Sequence, residues 1–300
     1  MRFTIAHRTR YRYPTPVHES HTICHLQPRS DITQYCTRYE LSVTPRTRVF
    51  SYVDRFANDV QHFAILPEHD MLEVVARSQV VTARGPGVAP QAMERALVDD
   101  DPVLDEMYDF LTESRYVKFS EPLDALLAEI GAPGRDDDVV AWFARASWTL
   151  NRGFVYDKTT TSVQATVEES VRLRSGVCQD FAHVLIALCR RTGIPARYVS
   201  GYIHSGDDEM LGAEASHAWA EAYLGPRGWV GIDPTNDTWI GDQFVRVAAG
   251  RDYRDVSPVR GVYTGASSSI LSVDVAVDAL SPQQQQQEQE QQRQQEQQQQ

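Results

Sequence analysis

The sequence predicts an α+β fold in two packed units, an N-terminal antiparallel β-sandwich followed by a core of mixed helices and strands. Three observations predict it. Up to about residue 84 the apolar residues come in short β-branched and aromatic runs. A cluster of Gly and Pro, RGPGVAP at 84–90, then interrupts the chain. Beyond it the apolar spacing lengthens to three and four residues, the period of a helix with one buried face. At 300 residues with 42% hydrophobic and 23% charged side chains, the chain has enough apolar material for a core of this size.

The strands of the first unit (residues 1–84) are FTIAHRTRYRY, RYELSVTP, RVFSYVDRF, VQHFAIL and MLEVVARSQVVT, punctuated by Pro, Asn and Asp. In the second unit (residues 91–256), helices are expected over ERALVDDDPVLDEMYDFLT, PLDALLAEIG and DDVVAWFARASWTLNRGF. A longer helix follows over 178–192, closed by Gly193 and Pro195. Then come strands ARYVSGYIH, HAWAEAYL and WVGIDPT. The alternating LSVDVAVDAL, within residues 257–280, reads as one more edge strand, returning to the β-domain. Residues 281–300 are almost pure Gln, a tract with nothing to bury that reads as a disordered appendage.

Of the net charge of -12, the last eighteen residues (three Glu, one Arg) supply only -2. The folded part is acidic in its own right and would repel phosphate backbones, which argues against nucleic acid as a partner. No signal-peptide core and no run of about 18 apolar residues occurs, so no membrane partner is expected. Four sparse cysteines, Cys24, Cys36, Cys178 and Cys189, suit reduced thiols and a cytoplasmic location, although a Cys24–Cys36 bridge is compatible with the count.

Among these cysteines, Cys178 stands apart. In RLRSGVCQDFAHVLIALCRRTGIP, Gly176 permits a tight turn, and Phe181, Val184, Leu185 and Leu188 then form one helical stripe. Cys178 thus sits at a helix amino terminus, where free amides and the helix dipole favour a thiolate and can support a developing oxyanion. Cys189, Cys24 and Cys36 read as core residues. Downstream, ASHAWAEAYLGPRGWVGIDPTN reads as a hairpin. A register centred on Gly225 sets His217 directly opposite Asp233, within reach of an imidazole–carboxylate pair.

These stretches resemble a known family. GVCQDFAHVLIALCRRTGIPARYVSGY, ASHAWAEAYL and GWVGIDPTN look like the three blocks of the transglutaminase-like superfamily, and HRTRYRYPTPV, LQPR, YVDRFANDV and GRDYRDVSPVRGVYTG are similar to its bacterial branch. The resemblance covers roughly residues 1–280. It implies a papain-like core with Cys178 as nucleophile, His217 as base and Asp233 as the orienting carboxylate. Where members usually carry Gly before the Asn of YVDRFANDV, this chain has Ala57, which implies local strain if that position needs a positive φ.

Lesser candidates have blander readings. Asp180 and His183 match family positions but read as structural, His183 being turned about 140° from Cys178 around the helix. Tyr156 could donate to an oxyanion, with core packing the better reading. Asp207, Asp208 and Glu209 lack calcium-loop spacing, and no metal or cofactor is expected. The expected activity is cleavage of a peptide or protein amide through a thioester, hydrolysis being favoured by the resemblance. The alternatives are a protein-glutamine transglutaminase using an amine, and a non-catalytic scaffold on the same fold. Oligomeric state is left open.

Overall fold

The computed structural model describes residues 1–158, 165–206, 210–212 and 216–280. The Gln-rich stretch and Asp207 to Glu209 lie outside them. The first unit is built on a 23-residue strand, β1 (Arg2–Cys24), with β2 (Gln34–Thr44), β3 (Phe50–Val53), β4 (Asp59–Ile65) and β5 (His69–Thr82). Pro14 and Pro16 fall in the middle of β1 and have no N–H for a ladder, and there the register with β5 jumps from Arg12–Met71 to Val17–His69. The first half of β1 pairs with β5, the second with β4. The expected sandwich is built by bending one antiparallel sheet at β1, so that its two wings close on Tyr13, Val17, Phe63, Ile65, Leu72 and Val74.

The chain returns to this sheet at its end. Strand β13 (Val259–Thr264) pairs with the second half of β1, and β14 (Ile270–Ala279) with Phe3 to Arg12. Between them lies the core. The stretch 94–112 expected as one helix is three short turns, because Pro102 cannot continue a helix and starts a new one capped by Asp101. Helices α1 (Glu121–Ile130), α2 (Val139–Gly153) and α4 (Cys178–Arg191) match expectation, α2 being capped by the Asp138 side chain on Val140 N–H. A further helix, α3 (Val167–Leu173), is too short for periodicity to reveal. The short strands β6 (Val155–Tyr156) and β7 (Ser175–Gly176) pair in parallel just before α4.

Strands β8 (Ala196–Ile203), β9 (His217–Tyr223), β10 (Trp229–Asp233), β11 (Thr238–Trp239) and β12 (Phe244–Gly250) form a second antiparallel sheet in the order β11-β10-β9-β8-β12. Ala218, Ala220 and Ala222 of β9 share a core with the buried stripe of α4, small residues that let helix and sheet approach closely. The edge strand β12 is the seam between the two units. Asn58 brackets Ala249 with two hydrogen bonds of 2.8 and 2.9 Å, and Gln34 brackets Arg246 with two of 2.7 and 2.8 Å.

Two costs are visible at this seam. Asn58 is aimed by a turn in which Ala57 takes φ of +59°, the strain that the departure from Gly implied. Glu221, buried on β9, is held by Arg197 and Arg246 at 2.6 Å each, and the two guanidinium charges outweigh burial to keep its carboxyl well below the usual range. Ala57→Gly should raise stability by about 0.5–1 kcal/mol in denaturant unfolding. Glu221→Gln should lower it by about 3–5 kcal/mol, since two buried cations lose their counter-charge. Because the folded-state carboxyl is depressed, its contribution is present above the ordinary value of 4.5 and fades as pH falls below it. The stability gap between wild type and Glu221→Gln should narrow in acid; a gap independent of pH would rule out the charge as its cause.

Candidate active site

Three elements converge on one point. Helix α4 begins at Cys178, β9 begins at His217, and β10 ends at Asp233. The turn before the helix is tight because there is no room for a side chain at Gly176: a Cβ there would stand 2.6 Å from both Cβ and Oδ2 of Asp180. Space, rather than a positive φ, is what requires the glycine. Asp180 folds back to accept the Val177 N–H at 2.9 Å, which fixes the backbone one residue before the cysteine. Asp180 is therefore the brace of the turn that leads into Cys178. Cys178 itself is partly exposed.

His217 Nε2 and Asp233 Oδ2 are 2.8 Å apart, with both side chains inaccessible to solvent. The register that achieves this differs from expectation by two residues. Trp229 pairs with Tyr223 and Ile232 with Ala220, so extending the ladder sets Asp233 beside Trp219 rather than His217. The shift arises because Gly225 to Arg227 form a 3-10 turn of their own instead of a symmetric loop. An even shift preserves the face, and the pair meets diagonally.

The carboxylate has two further donors. Its Oδ1 accepts the Thr235 N–H at 2.9 Å, and its Oδ2 accepts Asn236 Nδ2 at 2.7 Å. Asn236 did not emerge from the sequence; the available signal was its position three residues after Asp233, the spacing of a side chain that folds back on a strand end.

With Nε2 committed to Asp233, Nδ1 is the nitrogen left for the thiol. Nδ1 is buried and, among the described residues, has no partner in good hydrogen-bond alignment, while Cys178 is near enough to influence the ring. Burial acts to lower the imidazole pKa but is overcome by the charge and hydrogen bond of Asp233 and by the proximity of Cys178, which raise it to about 10. The ring can thus hold a proton across the neutral range.

The other candidates separate clearly. Cys189 and Cys24 are fully buried, and burial pushes the Cys24 thiol up to about 12. Cys36 is half-buried rather than core, with its thiol also raised by burial, and both Cys24 and Cys36 are free, so no bridge joins them. His183 is neutral, its pKa lowered by burial to about 4; it stacks on Tyr116 and accepts the Tyr253 N–H at 3.1 Å. Tyr156 packs against the core as expected, but β6 beside β7 also brings its hydroxyl close to the chain at Gly212 near His217.

These environments predict a labelling order. Iodoacetamide at neutral pH should modify Cys178 first and Cys36 more slowly, with Cys24 and Cys189 protected until the protein unfolds. Peptide mass spectrometry over time reads this directly, and early labelling of Cys24 would contradict the packing of β1.

The sequence relationships agree with this architecture. Residues 132–234 match the transglutaminase-like superfamily core and residues 3–81 the bacterial transglutaminase-like N-terminal region. An uncharacterised protein of Mycobacterium leprae is 32% identical over 286 residues, covering 93% of this chain and 99% of that one. An uncharacterised protein of Mycobacterium tuberculosis is 31% identical over 294 residues, covering 92% of each. A candidate cysteine protease from Cytophaga hutchinsonii shares the fold, with a TM-score of 0.74 at 24% identity over 94% of this chain and 92% of that one. A protein-glutamine gamma-glutamyltransferase of Pseudomonas aeruginosa is 36% identical over 67 residues, 21% of this chain and 10% of that protein. From its N-terminal sheet to its Cys, His and Asp blocks, this chain belongs to the transglutaminase-like superfamily.

Proposed function

We propose that the protein is a cysteine-nucleophile enzyme that cleaves peptide or amide bonds through a thioester, with Cys178, His217 and Asp233 as its triad. The observation that carries this reading is the fully buried His217–Asp233 pair at the mouth of the helix that begins with Cys178. A buried imidazole bonded to a buried carboxylate, with its second nitrogen left towards a partly exposed thiol, is a costly arrangement for packing alone.

The chemistry follows from the geometry. The Cys178 sulfur, its proton taken by His217, attacks the carbonyl carbon while the carbon–oxygen π electrons move to oxygen, and helix-terminal amides support the resulting charge. Collapse breaks the carbon–nitrogen bond, and His217 gives its proton to the departing amine. The neutral imidazole then takes a proton from water as the water oxygen bonds to the thioester carbon. Collapse breaks the carbon–sulfur bond, releasing the acid and returning the sulfur to Cys178 beside the protonated imidazole. Asp233 keeps the ring in one orientation and stabilises its cationic form throughout.

Transfer to an amine shares the first half of this sequence. The short likeness to the Pseudomonas aeruginosa gamma-glutamyltransferase is what favours it as a second reading. Incubating acyl-donor peptides with and without a primary amine, followed by mass spectrometry, distinguishes the two: free acid alone supports hydrolysis, and an amine adduct supports transfer.

Cys178→Ala should abolish turnover while leaving the unfolding transition in place. Asp233→Asn should reduce kcat/KM by about 10²–10⁴-fold, because the ring loses both its orientation and its counter-charge. It should also move the alkaline limb of the pH profile. In the wild type the imidazolium persists until pH approaches about 10, and burial alone would lower that value, so removing the carboxylate charge shifts the limb to lower pH. An alkaline limb unmoved in Asp233→Asn would remove His217 as its source.

A further inference from the structure

Asn236 stands at a junction that the triad alone does not explain. Its Nδ2 donates to Asp233 Oδ2 at 2.7 Å and to the Leu211 carbonyl at 3.2 Å, and its Oδ1 accepts the Leu211 N–H at 2.9 Å. One amide therefore pairs with a backbone twenty-five residues away, in both directions as a neighbouring strand would, and also reaches the carboxylate that holds His217. A residue that merely shaped the turn after β10 would need only local bonds.

The chain that Asn236 holds lies against the catalytic ring. Gly212, with φ of +83°, is so close that a Cβ would stand 2.6 Å from His217 Nδ1, 3.1 Å from Cε1 and 3.6 Å from the Tyr156 hydroxyl. The ring cannot retreat, because Nε2 is tied to Asp233 at 2.8 Å and the side chain is enclosed. Both edges of the imidazole thus answer to one amide, Nε2 through Asp233 and Nδ1 through Leu211 and Gly212.

We propose that Asn236 is a positioning residue that clamps the Leu211–Gly212 backbone to the Asp233 carboxylate, fixing His217 from both edges and bounding the space beside Nδ1. This rests on the catalytic reading of Cys178, His217 and Asp233. The residue type fits the task. Two N–H donors and one acceptor are needed on a short side chain. Asp would supply no donor and would set a second negative charge beside Asp233, and Ala would supply neither donor nor acceptor.

The test compares wild type with Asn236→Ala through two measurements. The first is the downfield proton NMR resonance of the buried His217–Asp233 hydrogen bond, identified by its absence in Asp233→Asn. The second is the ratio of Cys178 labelling rates for a bulky maleimide and for iodoacetamide. Releasing the clamp should shift and broaden the resonance and raise the ratio about tenfold, the scale of losing the hydrogen bonds that hold the segment. If Asn236→Ala does not fold, the isosteric Asn236→Asp decides on the same two readouts. A resonance unchanged from wild type, or a ratio within twofold of it, in the folded variant overturns the proposal. Failure of wild-type Cys178 to label ahead of Cys36 would instead remove the catalytic reading, and the resonance would still report whether the clamp exists.

Discussion

The buried carboxylate of Asp233 is the constraint around which this site is organised. An ionised carboxylate enclosed in protein is tolerable only when its oxygens are hydrogen-bonded and a cation stands beside it. Here the Thr235 amide takes Oδ1, while Asn236 and His217 share Oδ2. Those partners come from three places: the turn that ends β10, the side chain that reaches back to Leu211, and the first residue of β9. Satisfying one charge therefore fixes the ends of two strands and a distant stretch of backbone. The raised pKa of His217 follows from the same pairing, because the Asp233 charge favours the protonated ring.

A second constraint ties the site to the N-terminal sheet. Strand β12 is the edge of the core sheet, and an uncovered edge presents unpaired backbone groups. Asn58 and Gln34 occupy those groups with their amides, much as an added strand would. The strain at Ala57 is the local cost of aiming Asn58, with Asp54 holding the turn from beneath through Phe56 and Asn58 N–H groups. Arg246 of β12 then passes the connection to Glu221 on β9, the strand that carries His217. The two units are thus coupled through buried polar groups at this seam as well as through an apolar core. In that core Phe3, Ile5 and Val80 of the first unit pack with the helices and strands of the second.

Residues with a strong local signature were the legible ones. The apolar stripe after Cys178 is periodic, so α4 and the placement of its cysteine could be read directly. The hairpin could be read as a hairpin, and His217 and Asp233 as neighbours on one face, because alternation fixes faces. Its register could not, because the 3-10 turn at Gly225 depends on the contact of that turn with the Leu97 carbonyl, where a Cβ on Gly225 would be only 2.6 Å away. The division of 94–112 followed from Pro102 outranking periodicity. Strand β12 and Asn236 gave no signal of their own, since both are defined by what they pair with across long sequence separations. Gly176 was read as a conformational need and proved to be a spatial one, a distinction that requires knowing where Asp180 points.

In the proposed mechanism the triad sets the order of proton movements but treats its acceptors alike. With Asp233 holding its pKa up, His217 would begin the proposed reaction as an acid already loaded beside the scissile bond. Once that proton leaves with the amine, the ring is neutral and will accept a proton from whatever nucleophile approaches the thioester. Water and a primary amine are equivalent in that respect, each delivering one proton to the same nitrogen. Discrimination must therefore arise where the acceptor enters, beside Nδ1, and the groups that bound that space are the Gly212 backbone and the Tyr156 hydroxyl. Gly212 packs against the enclosed ring with no room for a side chain, so the backbone there bounds what can reach Nδ1. On this reading, selectivity between hydrolysis and transfer is a property of the chain around the imidazole rather than of the three residues proposed to perform the chemistry.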